Sequence, residues 1–256
     1  MKEKDDLKIA VLIDADNVPH SNIKGMLGEI AKFGIPTIKR IYGDWTKSRA
    51  SGWKNALLEH AITPIQQYSY TTGKNATDSA MIIDAMDILH SEKVDGFCLV
   101  SSDSDFTKLA MRLRESGMLV IGLGEKKTPQ PFIVACDKFI YVEVISGKKT
   151  KQEKKPRKSS TKQAAVPEPE NDVDTINDEM IQLIKNSIED VADDNGWAFL
   201  AEVGALLIKK KPDFDPRNYG FSKLTPLLKS LNKHFTIYEE AVKDTQIKHI
   251  YVKNKQ

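Results

Sequence analysis

The chain contains the stretch Phe97-Cys98-Leu99-Val100-Ser101-Ser102-Asp103-Ser104-Asp105, in which an apolar run ends in two aspartates. A second run, Ile9-Ala10-Val11-Leu12-Ile13, ends in Asp14. Neither run alternates polar with apolar residues, which is typical of strands buried on both faces of a parallel sheet. Ligands of open α/β sheets bind beyond the carboxyl ends of such strands, so these aspartates are candidate site residues.

Strand-like and helix-like segments alternate over the first 145 residues. Such alternation indicates βαβ crossovers, and therefore an α/β fold with a mainly parallel sheet and helices on both faces. The predicted strands are 8–14, 36–43, 62–67, 96–101, 118–123 and 138–144, and the predicted helices are about 20–33, 49–60, 76–90, 104–116 and 130–136.

The composition changes after residue 146. Residues 148–163 contain eight Lys and Arg against one Glu, a local net charge of +7, whereas the whole chain carries only +2. Because residues 147–175 have few large apolar side chains to offset the entropy of ordering, they are predicted to be a flexible basic linker. Helical patterns and a final hairpin-like alternation then predict a small winged-helix domain. The predicted domains are 1–146 and 176–256, joined by the linker.

The segment Met1 to Asp6 is almost entirely charged and does not resemble a signal peptide. No apolar stretch approaches the length of a membrane span. The two cysteines, Cys98 and Cys136, lack metal-ligand spacing and are interpreted as buried thiols in a reducing compartment. A soluble cytoplasmic protein without membrane association is therefore expected.

Four aspartates form the candidate site: Asp14, Asp103 and Asp105 beyond two strands, and Asp78 in the first turn of the helix that precedes the second strand. Carboxylates without neighbouring His or Cys favour Mg²⁺ or Mn²⁺ over Zn²⁺. Each aspartate is also compatible with a turn or a helix cap. Asp84 and Asp87 do not share the helix face of Asp78, so solvated positions are expected for them.

Three segments together resemble the NYN domain, a PIN-like nuclease fold: Ile13-Asp14-Ala15-Asp16-Asn17, residues 74–78, and Ser101-Ser102-Asp103-Ser104-Asp105-Phe106. The resemblance covers about residues 7–145. It implies a Rossmannoid sheet and metal-dependent cleavage of single-stranded or structured RNA. It further implies catalytic and metal-binding roles for Asp14, Asp78, Asp103 and Asp105, a supporting catalytic role for Asn17, and an RNA-phosphate contact for Lys74.

The C-terminal part resembles the LOTUS (OST-HTH) domain over about residues 176–253. The most specific string is Asp215-Pro216-Arg217-Asn218-Tyr219-Gly220-Phe221-Ser222-Lys223-Leu224. The resemblance implies RNA binding, including structured G-rich RNA, and docking of a protein partner in some members. The aromatic residues Trp197, Phe214, Tyr219 and Phe221 are expected in the domain core rather than in base stacking.

Two groups of basic residues are candidate RNA contacts. Lys209, Lys210 and Lys211 form a positive run at a predicted helix end, where they suit phosphate binding. The linker residues are either a solubilising tether or an electrostatic arm whose neutralisation lowers a salt-dependent RNA affinity. They are Lys148, Lys149, Lys154, Lys155, Arg157 and Lys158.

These patterns favour a metal-dependent endoribonuclease whose RNA is selected by the LOTUS domain. One alternative is a catalytically silent protein that binds RNA or docks a partner. Another is a Mg²⁺-dependent phosphatase with Asp14 and Asp16 as an aspartyl pair. The phosphatase is less favoured, because Asn17-Val18 follows the pair where that family has Gly-Thr. The sequence makes no prediction of the oligomeric state.

Overall fold

The computed structural model describes residues 7–18, 22–46, 52–68, 76–145, 174–241 and 248–255. The N-terminal part contains a six-stranded sheet in which every neighbouring pair is parallel. The α/β prediction is therefore confirmed. The strands are β1 (Lys8–Asp14), β2 (Ile35–Gly43), β3 (Thr63–Gln66), β4 (Gly96–Val100), β5 (Leu119–Gly124) and β6 (Lys138–Tyr141).

The strand order is β3-β2-β1-β4-β5-β6, so the direction of winding reverses between β1 and β4. Ile13 pairs with Val100, which brings the carboxyl ends of these two strands level with each other. A reversal of this kind leaves a crevice beyond the strand ends, and ligands of open α/β sheets bind there. Asp14 and Ser101 border this crevice because they stand at the ends of the two strands.

Each face of the sheet packs against its own helices, because successive residues of a strand point to opposite faces. Leu12 and Leu99 lie in one core with α3, α4 and α5, whereas Ile13 and Val100 lie in the other with α1, α2 and α6. Both central strands are buried, which explains their unbroken apolar sequence. The helices are α1 (Ile23–Ile30), α2 (Trp53–His60), α3 (Ala76–His90), α4 (Thr107–Glu115), α5 (Gln130–Ala135) and α6 (Val142–Ile145).

The predicted strand at 138–144 is wrong beyond Tyr141. Tyr141 pairs with Gly124, the last residue of β5, so no neighbouring strand remains for the following residues. The chain instead forms the single-turn helix α6, whose Ile145 packs beside Gly25 of α1. The hydrophobic residues at 142–145 thus serve a helix contact rather than a longer strand.

The C-terminal part has helices followed by a β-hairpin, which confirms the predicted helix-and-wing architecture. The short strand β7 was not predicted, and it adds to the hairpin to give the strand order β7-β9-β8. Its core includes Ile184, Val203 and Leu228 from the three helices and Val252 from the sheet. The elements are α7 (Asp178–Glu189), β7 (Ala198–Phe199), α8 (Leu200–Lys210), a 3-10 helix (Pro216–Tyr219), α9 (Leu224–Ser230), β8 (Phe235–Ala241) and β9 (Lys248–Asn254).

The two parts contact each other through the edge strand β6 and helix α1. The docking loop, defined here as residues 211–219, provides the partner groups. Lys138 is 8% exposed, and its Nζ donates to the carbonyl of Phe214 at 2.7 Å. The docking loop makes three further contacts with the N-terminal part: Phe139 N to Pro212 O at 2.9 Å, Tyr141 OH to Asp213 Oδ2 at 2.8 Å, and the guanidinium of Arg217 to both carboxylate oxygens of Glu29 at 2.8 and 3.1 Å. Outside the loop, Lys126 Nζ pairs with Asp174 Oδ1 at 3.0 Å.

Candidate active site

The candidate site forms at the crevice between β1 and β4. Asp14 has the same strand parity as Leu12, and Ser101 has the same parity as Leu99, so both side chains point to the face covered by α3 and α4. Asp78 lies in the first turn of α3. Asp103 and Asp105 lie in the turn that leads from β4 into α4. The topology therefore directs all four predicted aspartates to one end of one sheet face.

Three of these aspartates come together closely. One carboxylate oxygen from each of Asp78, Asp103 and Asp105 lies within 4.8 Å of the other two. Asp78 and Asp103 are partly buried, whereas Asp105 is exposed. Asp103 also caps the 3-10 helix Ser104–Phe106, because its Oδ1 accepts from the backbone N–H of Asp105 at 2.9 Å. A carboxylate has two oxygens, so this cap is compatible with a ligand role.

Asp14 is not a member of this triad, and it lies buried at the end of β1. It is 1% exposed, and both of its carboxylate oxygens accept hydrogen bonds. Oδ1 accepts from the backbone N–H of Asp16 at 3.0 Å. Oδ2 accepts from Asn17 Nδ2 at 2.6 Å and from Ser101 Oγ at 2.9 Å. Asn17 therefore contacts Asp14 directly, as expected for a supporting residue.

Ser101 connects Asp14 to the triad, and sequence reasoning assigned it no role. Its buried hydroxyl donates to Asp14 and accepts from the backbone N–H of Asp103 at 3.1 Å. Ser101 thereby positions the backbone that carries two triad members. Its place directly after a buried strand and two residues before Asp103 is the signal that could have revealed it.

Mutual repulsion and burial shape the electrostatics of the site. Burial, followed by repulsion from Asp14, Asp103, Asp105 and Asp16, raises the pKa of Asp78 from 3.8 to about 6. Burial also raises the pKa of Asp14, although the hydrogen bonds from Asn17, Ser101 and Asp16 oppose it. Negative groups held together in this way are stabilised by a cation.

The donor set of the triad fits a hard divalent cation. It consists only of carboxylate oxygens, which are the ligands that Mg²⁺ and Mn²⁺ prefer, whereas structural zinc sites use thiolate and imidazole. The two cysteines are buried and unpaired elsewhere in the core, as predicted. Nothing in the triad therefore conflicts with a carboxylate-bound metal ion.

Asp84 does not occupy the solvated position expected for it. Its carboxylate accepts hydrogen bonds from Arg40 and from the hydroxyl of buried Tyr42, both on β2. The expectation considered only whether Asp84 shares the helix face of Asp78. A different face of α3 packs against β2, and Asp84 lies on that face. Asp87 is exposed, as expected.

The basic residues predicted to contact RNA differ in their surroundings. Lys209 is exposed at the end of α8. Lys210 pairs with Asp190 at 2.5 Å, and Lys211 pairs with Asp213 at 3.1 Å. Lys74 and the linker residues Lys148, Lys149, Lys154, Lys155, Arg157 and Lys158 lie outside the described residues.

Three of the four aromatic residues assigned to the C-terminal core are found there. Phe214 is buried, and Tyr219 and Phe221 pack partly buried against the same core. Trp197 is different, because it is partly exposed and its indole contacts the ring of Tyr238 on β8. The core assignment of Trp197 is therefore wrong: it precedes β7 on the side of the sheet opposite to buried Ala198.

Comparisons with known proteins identify both parts. The family model of the NYN domain matches residues 8–143, and that of the OST-HTH/LOTUS domain matches residues 171–245. A comparison with curated proteins finds no match. No helix in the described part of the chain has the length and apolar character needed to cross a membrane.

Two solved structures resemble parts of the chain. One is the NMR structure of an uncharacterized protein from Nitrosomonas europaea, which is 32% identical with a TM-score of 0.30, over 40% of this chain and 93% of its own. The other is the crystal structure of a protein of unknown function from Vibrio parahaemolyticus, which is 20% identical with a TM-score of 0.46, over 55% of this chain and 96% of its own. Since the NYN match spans more than half of the sequence, the chain belongs to the NYN domain family and carries an OST-HTH/LOTUS domain after its NYN domain.

Proposed function

We propose that this protein is a metal-dependent endoribonuclease that cleaves RNA phosphodiesters and selects its RNA through the LOTUS domain. The convergence of the Asp78, Asp103 and Asp105 carboxylates at the crevice carries this proposal. The NYN domain is a nuclease-type domain and the LOTUS domain is an RNA-binding type, so membership in these families supports the same chemistry.

Asp78, Asp103 and Asp105 would hold one or two Mg²⁺ or Mn²⁺ ions. When bound, such an ion supplies Lewis-acid activation of the phosphodiester and of water. The chain itself supplies the arrangement of the ligands. Asp78 stands at the N-terminus of α3, and Asp103 fixes the turn that presents Asp105. The raised pKa of Asp78 supports this role, because it reflects a negative charge that a bound cation would stabilise.

Asp14 would support the triad from its buried position at the end of β1. Its negative charge adds to the field at Asp78, and its hydrogen bond from Ser101 holds the end of β4. Asn17 keeps one oxygen of Asp14 in place. In this arrangement Asp14 and Asn17 orient the site, while the three triad carboxylates face the substrate side.

The phosphatase alternative is not supported by the surroundings of Asp14. An aspartyl nucleophile needs a carboxylate oxygen that can reach a phosphorus atom. Asp14 is 1% exposed, and both oxygens already accept hydrogen bonds. This side chain is therefore better suited to a supporting role than to covalent catalysis.

The decisive experiment compares Asp103→Asn with wild type in the cleavage of a mixed RNA pool. Asparagine retains the oxygen that caps Asp105 N–H, so the fold and the RNA affinity should persist. Loss of one ligand charge should lower Mn²⁺-dependent cleavage by at least about 100-fold, on the scale typical of a lost catalytic interaction. Asp87→Asn is the matched control, since Asp87 lies on α3 but is exposed and about 13 Å along the helix from Asp78.

Cleavage that disappears with chelator and with Asp103→Asn, but persists with Asp87→Asn, supports the proposal. Cleavage at the wild-type rate by Asp103→Asn contradicts it. RNA binding by wild type without cleavage under any divalent metal would instead support the silent binding protein.

A further inference from the structure

The three-stranded sheet of the LOTUS domain has one face buried and one face turned to solvent. Ala198 of β7, Phe235 of β8 and Val252 of β9 point into the domain core. Their strand neighbours point the other way, because side chains alternate along each strand. The solvent side of such an antiparallel sheet is ordinarily polar. Here it carries aromatic rings instead.

Five rings form a continuous strip across this outer surface, which we call the aromatic face: Trp197, Phe199, Tyr238, His249 and Tyr251. The ring centres of His249 and Phe199 are 5.5 Å apart, and those of Phe199 and Tyr251 are 5.7 Å apart. The strip continues from Tyr251 to Tyr238 at 6.4 Å and from Tyr238 to Trp197 at 6.0 Å. It therefore crosses all three strands without a break.

The strip is accessible rather than buried. Tyr238 is 51% exposed, His249 is exposed, and the other three rings are partly exposed. Cross-strand aromatic contacts stabilise a sheet by roughly 0.2–1 kcal/mol per pair, and two adjacent rings would suffice for that purpose. A row of five rings left open to water exceeds this need and points to a ligand with flat apolar faces.

We propose that the aromatic face is a stacking platform for the unpaired bases of single-stranded RNA. This inference rests on the proposed function and deepens it by locating where the LOTUS domain holds its RNA. Every nucleobase has a π face that stacks on Tyr, Trp, Phe or His, so such a surface is tolerant of sequence. Bases inside a duplex are already stacked on each other, so the platform selects single strands.

The charge at one end of the strip is complementary to a phosphate backbone. Lys253 Nζ donates to the carbonyl of Asn195 at 2.6 Å, and Lys255 Nζ donates to the carbonyl of Asn232 at 2.7 Å. A carbonyl oxygen carries no net charge, so both ammonium groups keep their full positive charge for a phosphate. At the opposite end, the acidic residue Glu240 pairs in register with His249. The strip therefore runs from a basic end to an acidic end, which gives bound RNA a preferred position along it.

The alternative face of the same domain is less suited to phosphate. At the end of α8, Lys210 already pairs with Asp190 and Lys211 with Asp213. Their positive charge is partly neutralised by these carboxylates. The aromatic face thus combines base-stacking groups with positive charge, whereas at the end of α8 two of the three lysines are paired with carboxylates.

Binding of the full-length protein to a labelled oligouridine of about 12 nucleotides tests the proposal, with chelator present so that no metal-dependent cleavage occurs. Tyr238→Ala combined with Tyr251→Ala should weaken binding by about 10-fold or more, since each stacked base contributes a comparable factor. Tyr238→Phe keeps the ring and should bind like wild type. Gln182→Ala, at an exposed position of α7 on the opposite side of the sheet, should also bind like wild type.

Quenching of tryptophan fluorescence provides a second measurement that needs no ring deletion. RNA stacked on the strip should quench Trp197, and this quenching should be lost in Trp197→Phe, which retains a stacking ring. Thermal denaturation of each variant confirms that it is folded.

Wild-type affinity in the folded double alanine variant overturns the platform, as does equal quenching in Trp197→Phe and wild type. Equal affinity of the wild type for the single strand and for its duplex also overturns it. Binding is measured in chelator and therefore does not depend on cleavage. If the protein binds RNA through these rings but never cleaves it, only the proposed nuclease activity is refuted.

Discussion

Ser101 joins Asp14 to Asp103 through a single hydroxyl group. The hydroxyl donates to a buried carboxylate and accepts from a backbone N–H at the start of the turn that carries Asp103 and Asp105. Asp14 is 1% exposed, so solvent does not easily replace the hydrogen bond that it receives from Ser101. The position of this turn therefore depends on one side chain that has no direct part in binding metal.

We expect Ser101→Ala to lower the free energy of unfolding by about 1–3 kcal/mol, because the buried carboxylate of Asp14 loses one of its hydrogen bonds and the backbone N–H of Asp103 loses its acceptor. Cleavage should fall as well, since the turn at Asp103 loses its anchor. Urea denaturation measures the first effect and the RNA assay the second. Ser104→Ala, at an exposed position in the same turn, should change neither. Unaltered stability of Ser101→Ala would refute the anchoring role.

Asp78 gives the metal-free protein a pH dependence. Its pKa is about 6 in the fold, against 3.8 ordinarily, so the folded state favours the protonated form. The ionised carboxylate therefore destabilises the fold fully above pH 6, and this penalty disappears as the pH falls below about 4.

Asp78→Asn should therefore stabilise the chelated protein at pH 7.5 by about 1 kcal/mol, a value reduced for the partial exposure of the group. The two proteins should become equally stable near pH 4. Added Mn²⁺ should stabilise wild type more than Asp78→Asn. Denaturation curves across this pH range provide the measurement, and a constant difference at all pH values would exclude the titration of Asp78 as its cause.

At the scale of elements, the ends of β4 and β5 leave no room for side chains beneath the site. A Cβ at Gly124 would lie 2.6 Å from the carbonyl oxygen of Ser101 and 2.6 Å from Thr128 Oγ1. The carbonyl belongs to the backbone and cannot rotate away. Glycine is therefore required at the end of β5 so that β4 can present Ser101 to Asp14.

Gly124→Ala should destabilise the protein by about 1–3 kcal/mol through overpacking and should impair cleavage by displacing Ser101. Gly28→Ala is the control, because no atom lies within 4 Å of a Cβ at this position of helix α1. It should leave cleavage intact and raise the free energy of unfolding by about 0.5–1 kcal/mol. Thermal denaturation and the RNA assay check both expectations, and full activity of Gly124→Ala would contradict this view of the strand end.

The sequence predicted most elements of the fold because the central strands β1 and β4 are unbroken apolar runs followed by polar residues. Helix α3 was predicted with its observed bounds, 76–90. The two-residue strand β7 was missed, because its pairing with β9 depends on residues about fifty positions away. Helix α6 was missed because apolar residues 142–145 suit a strand or a helix equally until the end of β5 is known.

In the site, too, local sequence predicted some features, whereas features that depend on distant contacts were missed. The motif Ser101–Phe106 and the strand ends indicated which aspartates share a crevice. They did not indicate that both oxygens of Asp14 already accept hydrogen bonds, since that depends on Asn17 and Ser101 together. Trp197 was assigned to the core because an aromatic side chain usually lies inside, and only the alternation around β7 reveals its outward direction.

At the scale of the whole molecule, Arg217 joins the two domains. Its guanidinium contacts both oxygens of Glu29 on α1 and is held by Asp215 within the docking loop. Although burial opposes ionisation, the hydrogen bonds of Arg217 and Lys32 keep the pKa of Glu29 below its usual value. These contacts fix the LOTUS domain against the NYN domain, and with it the direction of the aromatic face.

Arg217→Ala should leave two carboxylates without their shared cation and should loosen the interface, at a cost of about 2 kcal/mol. Small-angle scattering should show a larger radius of gyration, and thermal unfolding should broaden or separate into two transitions. Lys210→Ala breaks only a surface pair within the LOTUS domain and should change neither measurement. An unchanged radius for Arg217→Ala would show that the remaining contacts suffice.

The contact between Phe139 and Pro212 has a consequence for solubility. Strand β6 is an edge of the parallel sheet, and the carbonyl of Pro212 occupies a hydrogen-bonding position that another strand would otherwise use. The opposite edge, β3, is only four residues long and contains Pro64, which has no N–H to offer. A chain ending at residue 146 would uncover β6 and invite edge-to-edge aggregation. The LOTUS domain would therefore also shield the exposed edge of the NYN sheet from self-association.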